Sequence, residues 1–94
     1  MLREILDKDP KHEKALFNLG LLSITSGQFD RAVERFDTLL KYYPNKDEAR
    51  IYLGYCYLEL NQKDKARKEF EALISGSSSD EIKDAAKGYL ESIN

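Results

Sequence analysis

The chain has 94 residues, enough for one small domain. At 41% hydrophobic and 34% charged, with two prolines and five glycines, it falls outside the disordered, linker and fibrous classes. A net charge of -2 speaks against nucleic-acid binding, which needs a basic excess, and no apolar run approaches the roughly 20 residues of a membrane span. Cys56 is the single cysteine, so no internal disulfide forms, and a reducing, cytoplasmic compartment is expected. The start, Met1-Leu2-Arg3-Glu4 with Asp7 and Asp9 close behind, leaves no room for the apolar segment of a signal peptide.

In chain order, Leu2, Ile5 and Leu6 precede Asp9-Pro10 as Phe36, Leu39 and Leu40 precede Tyr43-Pro44. Residues 1–12 therefore read as the second half of a helical hairpin. Either the chain is cut from a longer array or something else covers this helix. Ala15, Leu16, Leu19 and Leu22 then follow helical spacing. Gly27 interrupts the pattern, and a second helix carries Ala32, Val33, Phe36, Leu39 and Leu40 until Pro44 stops it. Asn45 with Glu48 predicts a capping box for the third helix, which carries Ala49, Leu53, Cys56, Tyr57 and Leu60. Asn61 takes the place of Gly27, since both tolerate positive φ in a tight turn. A fourth helix carries Ala66, Phe70, Leu73 and Ile74. Its exposed face suggests the i,i+4 pairs Asp64–Lys68 and Lys65–Glu69. Ser75-Gly76-Ser77-Ser78-Ser79 reads as a looser connection, and Ser78 with Glu81 as the cap of a last helix. That helix has Ile82, Ala85, Ala86, Tyr89, Leu90 and Ile93 on one face and Lys83, Lys87 and Glu91 on the other, as a terminal cap requires.

The chain repeats itself every 34 residues. Gly20, Gly54 and Gly88 keep this step, as do Ala32 and Ala66, Phe36 and Phe70, Leu19 and Leu53, Pro10 and Pro44, and Leu6, Leu40 and Ile74. A fixed period of this length means that one supersecondary unit recurs. Such a unit cannot bury its apolar face alone, so neighbours stack into an all-α solenoid.

The residues Leu16, Leu19, Gly20, Gly27, Ala32, Phe36 and Pro44 of the first unit carry a signature that resembles the tetratricopeptide repeat. In the second unit Leu53, Gly54, Tyr57, Ala66 and Phe70 match, while Arg50, Asn61 and Ser78 depart from it. The final helix keeps only Gly88. The resemblance implies a right-handed superhelix of about five helices in a single domain, residues 1–94. Its expected divisions are the end of a preceding repeat at 1–12, repeats at 13–46 and 47–80, and a capping helix at 81–94.

In this family the first helices of successive repeats line a concave groove that binds peptides or helices. The resemblance places Phe17, Leu21, Ile24, Ile51, Tyr55, Leu58 and Tyr89 on that groove, with Lys14, Thr25, Glu48, Glu59, Ile82 and Ala85 beside them. The stripe is more apolar than packing of the first helix needs, and contiguous exposed apolar surface marks a binding site. Two readings stay open: a groove for a protein or peptide partner, or a short superhelix that closes on these residues. The chaperone-tail clamp of the family needs Lys, Asn and Arg at places held here by Phe17, Leu21, Tyr52, Ile82 and Ala86, so that binding mode is not expected.

The function expected is thus a non-catalytic adaptor or scaffold. The alternative is a structural unit that self-associates into a homo-oligomer through Leu2, Ile5 and Leu6. No cofactor, metal, membrane or nucleic-acid partner is expected. Lys63, Lys65, Arg67 and Lys68 are interleaved with Asp64, Glu69 and Glu71 and read as a solvated face. One histidine, His12, cannot make a metal cluster, and Cys56 falls at a small-residue packing position and reads as an inert thiol. Tyr42, Tyr43, Tyr52 and Tyr57 read as core.

Overall fold

A computed structural model describes residues 5, 6, 8, 9, 12–76 and 79–93. Helix α1 spans Glu13–Thr25, α2 Phe29–Tyr42, α3 Asp47–Glu59, α4 Lys63–Gly76 and α5 Asp80–Ile93. Ile5, Leu6 and Lys8, ahead of α1, are also helical. Helices adjacent in the chain pack on one another, and α3 also touches α5. This is the all-α solenoid expected from the period.

The hairpins turn alike because the chain repeats its backbone bonds. Gly27 has φ +74° and Asn61 φ +60°, the left-handed conformation that glycine and asparagine adopt at least cost. Across the first turn the Gln28 N–H donates to the Ser23 carbonyl at 2.8 Å, and across the second the Gln62 N–H donates to Tyr57, also at 2.8 Å. Donors and acceptors are both one period apart.

Helix starts depart from the sequence reading. The Asn45–Glu48 box does not form. The turn bonds Lys46 N–H to the Tyr43 carbonyl at 3.2 Å, so Lys46, not Asn45, stands at the N-cap of α3, without a side-chain cap. Its ammonium instead pairs with Glu13 at 2.5 Å and ties the turn to the first turn of α1. At α5 the Ile82 N–H donates to the Ser79 hydroxyl at 3.4 Å. The cap thus lies one residue beyond Ser78, which falls outside the described residues. His12 caps α1, with its Nδ1 accepting from the Ala15 N–H at 3.2 Å. An imidazole nitrogen here does the work usually given to the side-chain oxygen of serine or aspartate. Helix α4 runs through Ser75 and Gly76, where a loose connection was expected.

The core has two parts. Leu6, Ala15, Leu16, Ala32, Phe36, Leu39, Ala49, Leu53 and Cys56 form one cluster, and Ala66, Phe70, Leu73 and Ala86 the other. Tyr57 packs against both. Within each hairpin a phenylalanine ring lies on a glycine. A Cβ at Gly20 would stand 2.5 Å from Phe36 Cζ, and one at Gly54 would stand 2.5 Å from Phe70 Cζ. Gly88 keeps the period but has nothing within 4 Å of where its Cβ would be.

Arg50 stands where the first unit has the buried Leu16. Its guanidinium reaches Glu69 on α4 at 2.8 Å and the Pro44 carbonyl at 3.5 Å, so an ion pair replaces apolar packing inside the second hairpin. Glu69 is therefore taken by Arg50 rather than Lys65, and Asp64 pairs with Arg67 at 3.3 Å rather than with Lys68. The α4 surface pairs are exposed and contribute little.

Candidate functional site

The N-terminal ends of α1, α3 and α5 and the α2–α3 turn surround an open concavity of about 600 Å³. Phe17 and Ile82 give it an apolar floor. Lys14, Asn18, Lys46 and Glu48 give it a polar rim of both charge signs. The volume lies within the range of small-ligand and side-chain pockets.

The floor is held by aromatic stacking. The Phe36 ring, fully buried, stacks on Tyr52 with centroids 5.9 Å apart and meets the edge of Phe17 at 6.0 Å. Phe17 also meets Tyr52 at 5.8 Å. Three rings from three helices therefore brace one another between α1, α2 and α3. Tyr52 is one of the large apolar residues left exposed, at 36%. Sequence reasoning placed it in the core, as it did Tyr42, which is 38% exposed. The signal that could have found Tyr52 is its place next to Leu53 and Gly54, one step off the buried edge of α3.

The other predicted groove residues lie further along the first helices. Leu21 and Ile24 are half-buried against the first core cluster, and Ile51, Leu58 and Tyr89 against the second. Tyr55 meets Phe29 at 6.1 Å and Tyr89 at 6.4 Å, while Tyr89 stacks on Phe70 at 4.9 Å. Of the seven, Phe17 alone lines the concavity. The remaining six form a half-buried aromatic and aliphatic ridge across α1, α3 and α5. Lys14, Glu48 and Ile82, named beside them, do line it, whereas Ala85 is exposed.

The predicted self-association residues divide. Leu2 lies outside the described residues, Ile5 is 37% exposed, and Leu6 is buried in the first cluster. Leu6 thus offers little surface to a second copy. Leu22, expected to pack, is 53% exposed. Its counterpart one period later, Cys56, is fully buried in the cluster that holds α2.

Cys56 has an electrostatic signature that agrees with burial. Desolvation, reinforced by the Glu59 charge, pushes its thiol up to about 11 from 9.0. Tyr57 is likewise pushed up to about 12, by burial first and then by Asp37 and Glu69. Both shifts disfavour the charged form in the folded state. The unfolded chain loses the Cys56 proton near 9.0 and the folded chain near 11, so this term costs no stability below pH 9 and removes stability as pH rises from 9 to 11. Urea titrations at neutral pH and in that alkaline window are expected to show the loss. Thiol labelling at neutral pH is expected to proceed at the rate of unfolding. Rapid labelling of the native protein would contradict this account.

Helical hairpins stacked in line, with an open face braced by aromatic rings, define a repeat protein of the kind that presents a surface. The family profile described as tetratricopeptide repeat matches residues 1–46 and, overlapping them, 23–80, and the chain belongs to that family. Repeats of this family generally mediate protein–protein interaction. A comparison with curated proteins gave no match. Among the described residues no helix is long and apolar enough to cross a membrane.

Proposed function

We propose that the chain is a non-catalytic adaptor or scaffold that holds a protein segment on the face formed by α1, α3 and α5. The observation that carries this is the concavity between the starts of these helices, with Phe17 and Ile82 below and Lys14, Asn18 and Glu48 around it. An apolar floor with a rim of both signs suits a peptide with one large apolar anchor between polar residues of either charge. The ridge of Leu21, Ile24, Ile51, Tyr55, Leu58 and Tyr89 extends the contact for a longer, amphipathic segment. We read repeats at 13–46 and 47–80, flanked by the segment 1–12 and a capping helix at 81–94, in a cytoplasmic protein.

A random-peptide display library panned on the wild-type protein tests this reading. Selected peptides are expected to lose at least tenfold in affinity on Phe17→Glu and on Asn18→Arg. Asn18 is exposed, so its variant keeps the fold and serves as the cleaner probe. Peptides that bind both variants as well as the wild type would place the site elsewhere.

A further inference from the structure

Charge is distributed unevenly along the ridge and concavity of α1, α3 and α5. At the helix starts Lys14, Lys46 and Glu48 give the concavity both signs. Toward the helix ends Leu21, Ile24, Thr25, Leu58 and Tyr89 carry no charge, and Glu59 stands beside them on α3, exposed and without an ion-pair partner among the described residues. Tyr55 is the middle ring of an aromatic corner here. Phe29 meets it at 74° and Tyr89 at 56°, so neither ring lies flat on it. The Tyr55 phenol is pushed up from its ordinary value by desolvation first, then by the Glu59 charge and the Tyr89 phenol, so both groups lie within electrostatic reach of its hydroxyl. Among the described residues neither the Tyr55 nor the Tyr89 hydroxyl has a hydrogen-bond partner, and no buried side-chain polar atom lacks one, so both hydroxyls reach solvent. Elsewhere the chain sets its own cations on tyrosine: the Lys41 ammonium is 5.6 Å from the centre of the Tyr42 ring and that of Lys65 5.8 Å from the centre of Tyr57. Tyr55 and Tyr89 have no such cation among the described residues. Electron-rich rings beside an unneutralised carboxylate favour positive charge.

We propose that the corner of Phe29, Tyr55 and Tyr89, with Glu59, receives an arginine side chain of the bound protein segment. This rests on the reading of the α1, α3 and α5 face as a peptide site. A guanidinium is planar and more weakly hydrated than an ammonium, so it lies against a phenol ring while its N–H groups donate to the Glu59 carboxylate. The partner is then a segment with an apolar anchor for the concavity and an arginine to one side of it.

Titration with N-acetyl-arginine amide, followed by the ring NMR signals of Tyr55 and Tyr89, tests the corner directly. Both signals are expected to shift and saturate at millimolar ligand, to respond less to N-acetyl-lysine amide, and to stay still with N-acetyl-norleucine amide. Glu59→Gln, at an exposed position that keeps the fold, is expected to weaken arginine binding about fivefold. Peptides selected on the wild-type protein are expected to carry an arginine and to lose affinity on Glu59→Gln to the same degree as on replacing that arginine with norleucine. No shift with arginine amide, an equal response to lysine amide, or any response to norleucine amide would overturn the proposal. Peptides that respond to Phe17→Glu but not to Glu59→Gln would overturn it and leave the concavity as the site. Peptides that respond to Glu59→Gln but not to Phe17→Glu would uphold it and move the site away from the concavity.

Discussion

Replacing Phe36 with alanine is expected to lower the unfolding free energy by about 3–5 kcal/mol. The ring is fully buried, lies on Gly20, stacks on Tyr52 and supports the edge of Phe17. Truncation therefore opens a cavity between α1, α2 and α3 and removes two aromatic contacts that contribute beyond area burial. A loss of that size is a large fraction of the total for a domain this small. Because Phe17 and Tyr52 lose their brace, peptide affinity is expected to fall even under conditions where the variant still folds. Phe36→Leu keeps most of the volume and is expected to cost far less. Urea denaturation followed by circular dichroism measures both. A Phe36→Ala loss under 1 kcal/mol would mean that the ring is not the keystone its contacts suggest.

The second large effect concerns the glycines, whose sign depends on position. Gly54→Leu is expected to cost about 1–3 kcal/mol or more, since even its Cβ falls 2.5 Å from Phe70 Cζ. Phe70 cannot swing aside, being fully buried and stacked on Tyr89 at 4.9 Å. Gly88→Ala, one period on, is expected to stabilise by about 0.5–1 kcal/mol, because the site is open and alanine favours the helix. The same melting experiment reads both. A shared sign for the two would break the link drawn between the period and ring-on-glycine packing.

The fold was legible because its determinants are local and recur. Gly27 and Asn61 announce the turns by residue type, and the spacing of Ala32, Phe36 and Leu39 announces a buried helix face. The caps were less legible. Asn45, a good capping residue, stands one place too early in a turn whose bonding sets the helix start at Asp47, and no local pattern tells Ser78 from Ser79. Exposure of Leu22 was illegible for a different reason: whether a helix face is covered depends on a neighbouring helix, and a helical period cannot say whether that neighbour reaches it. The expected groove residues met the concavity only in part. Phe17, aligned by the family resemblance, lines the concavity, while exposed Tyr52 was read as core because aromatic side chains on a helix read alike from either side of a packing boundary.

The division of the core has a mechanical consequence. The two buried clusters meet through α3 and the shared ring of Tyr57, and helices contact chiefly their sequence neighbours. Tension between the two ends of the chain therefore loads one hairpin interface at a time, like a zip rather than a sheared strap. With the smaller cluster at its far end, the chain is expected to open from α5 and then α4 while the larger cluster around Phe36 holds, in the manner of a soft spring with a stiff root.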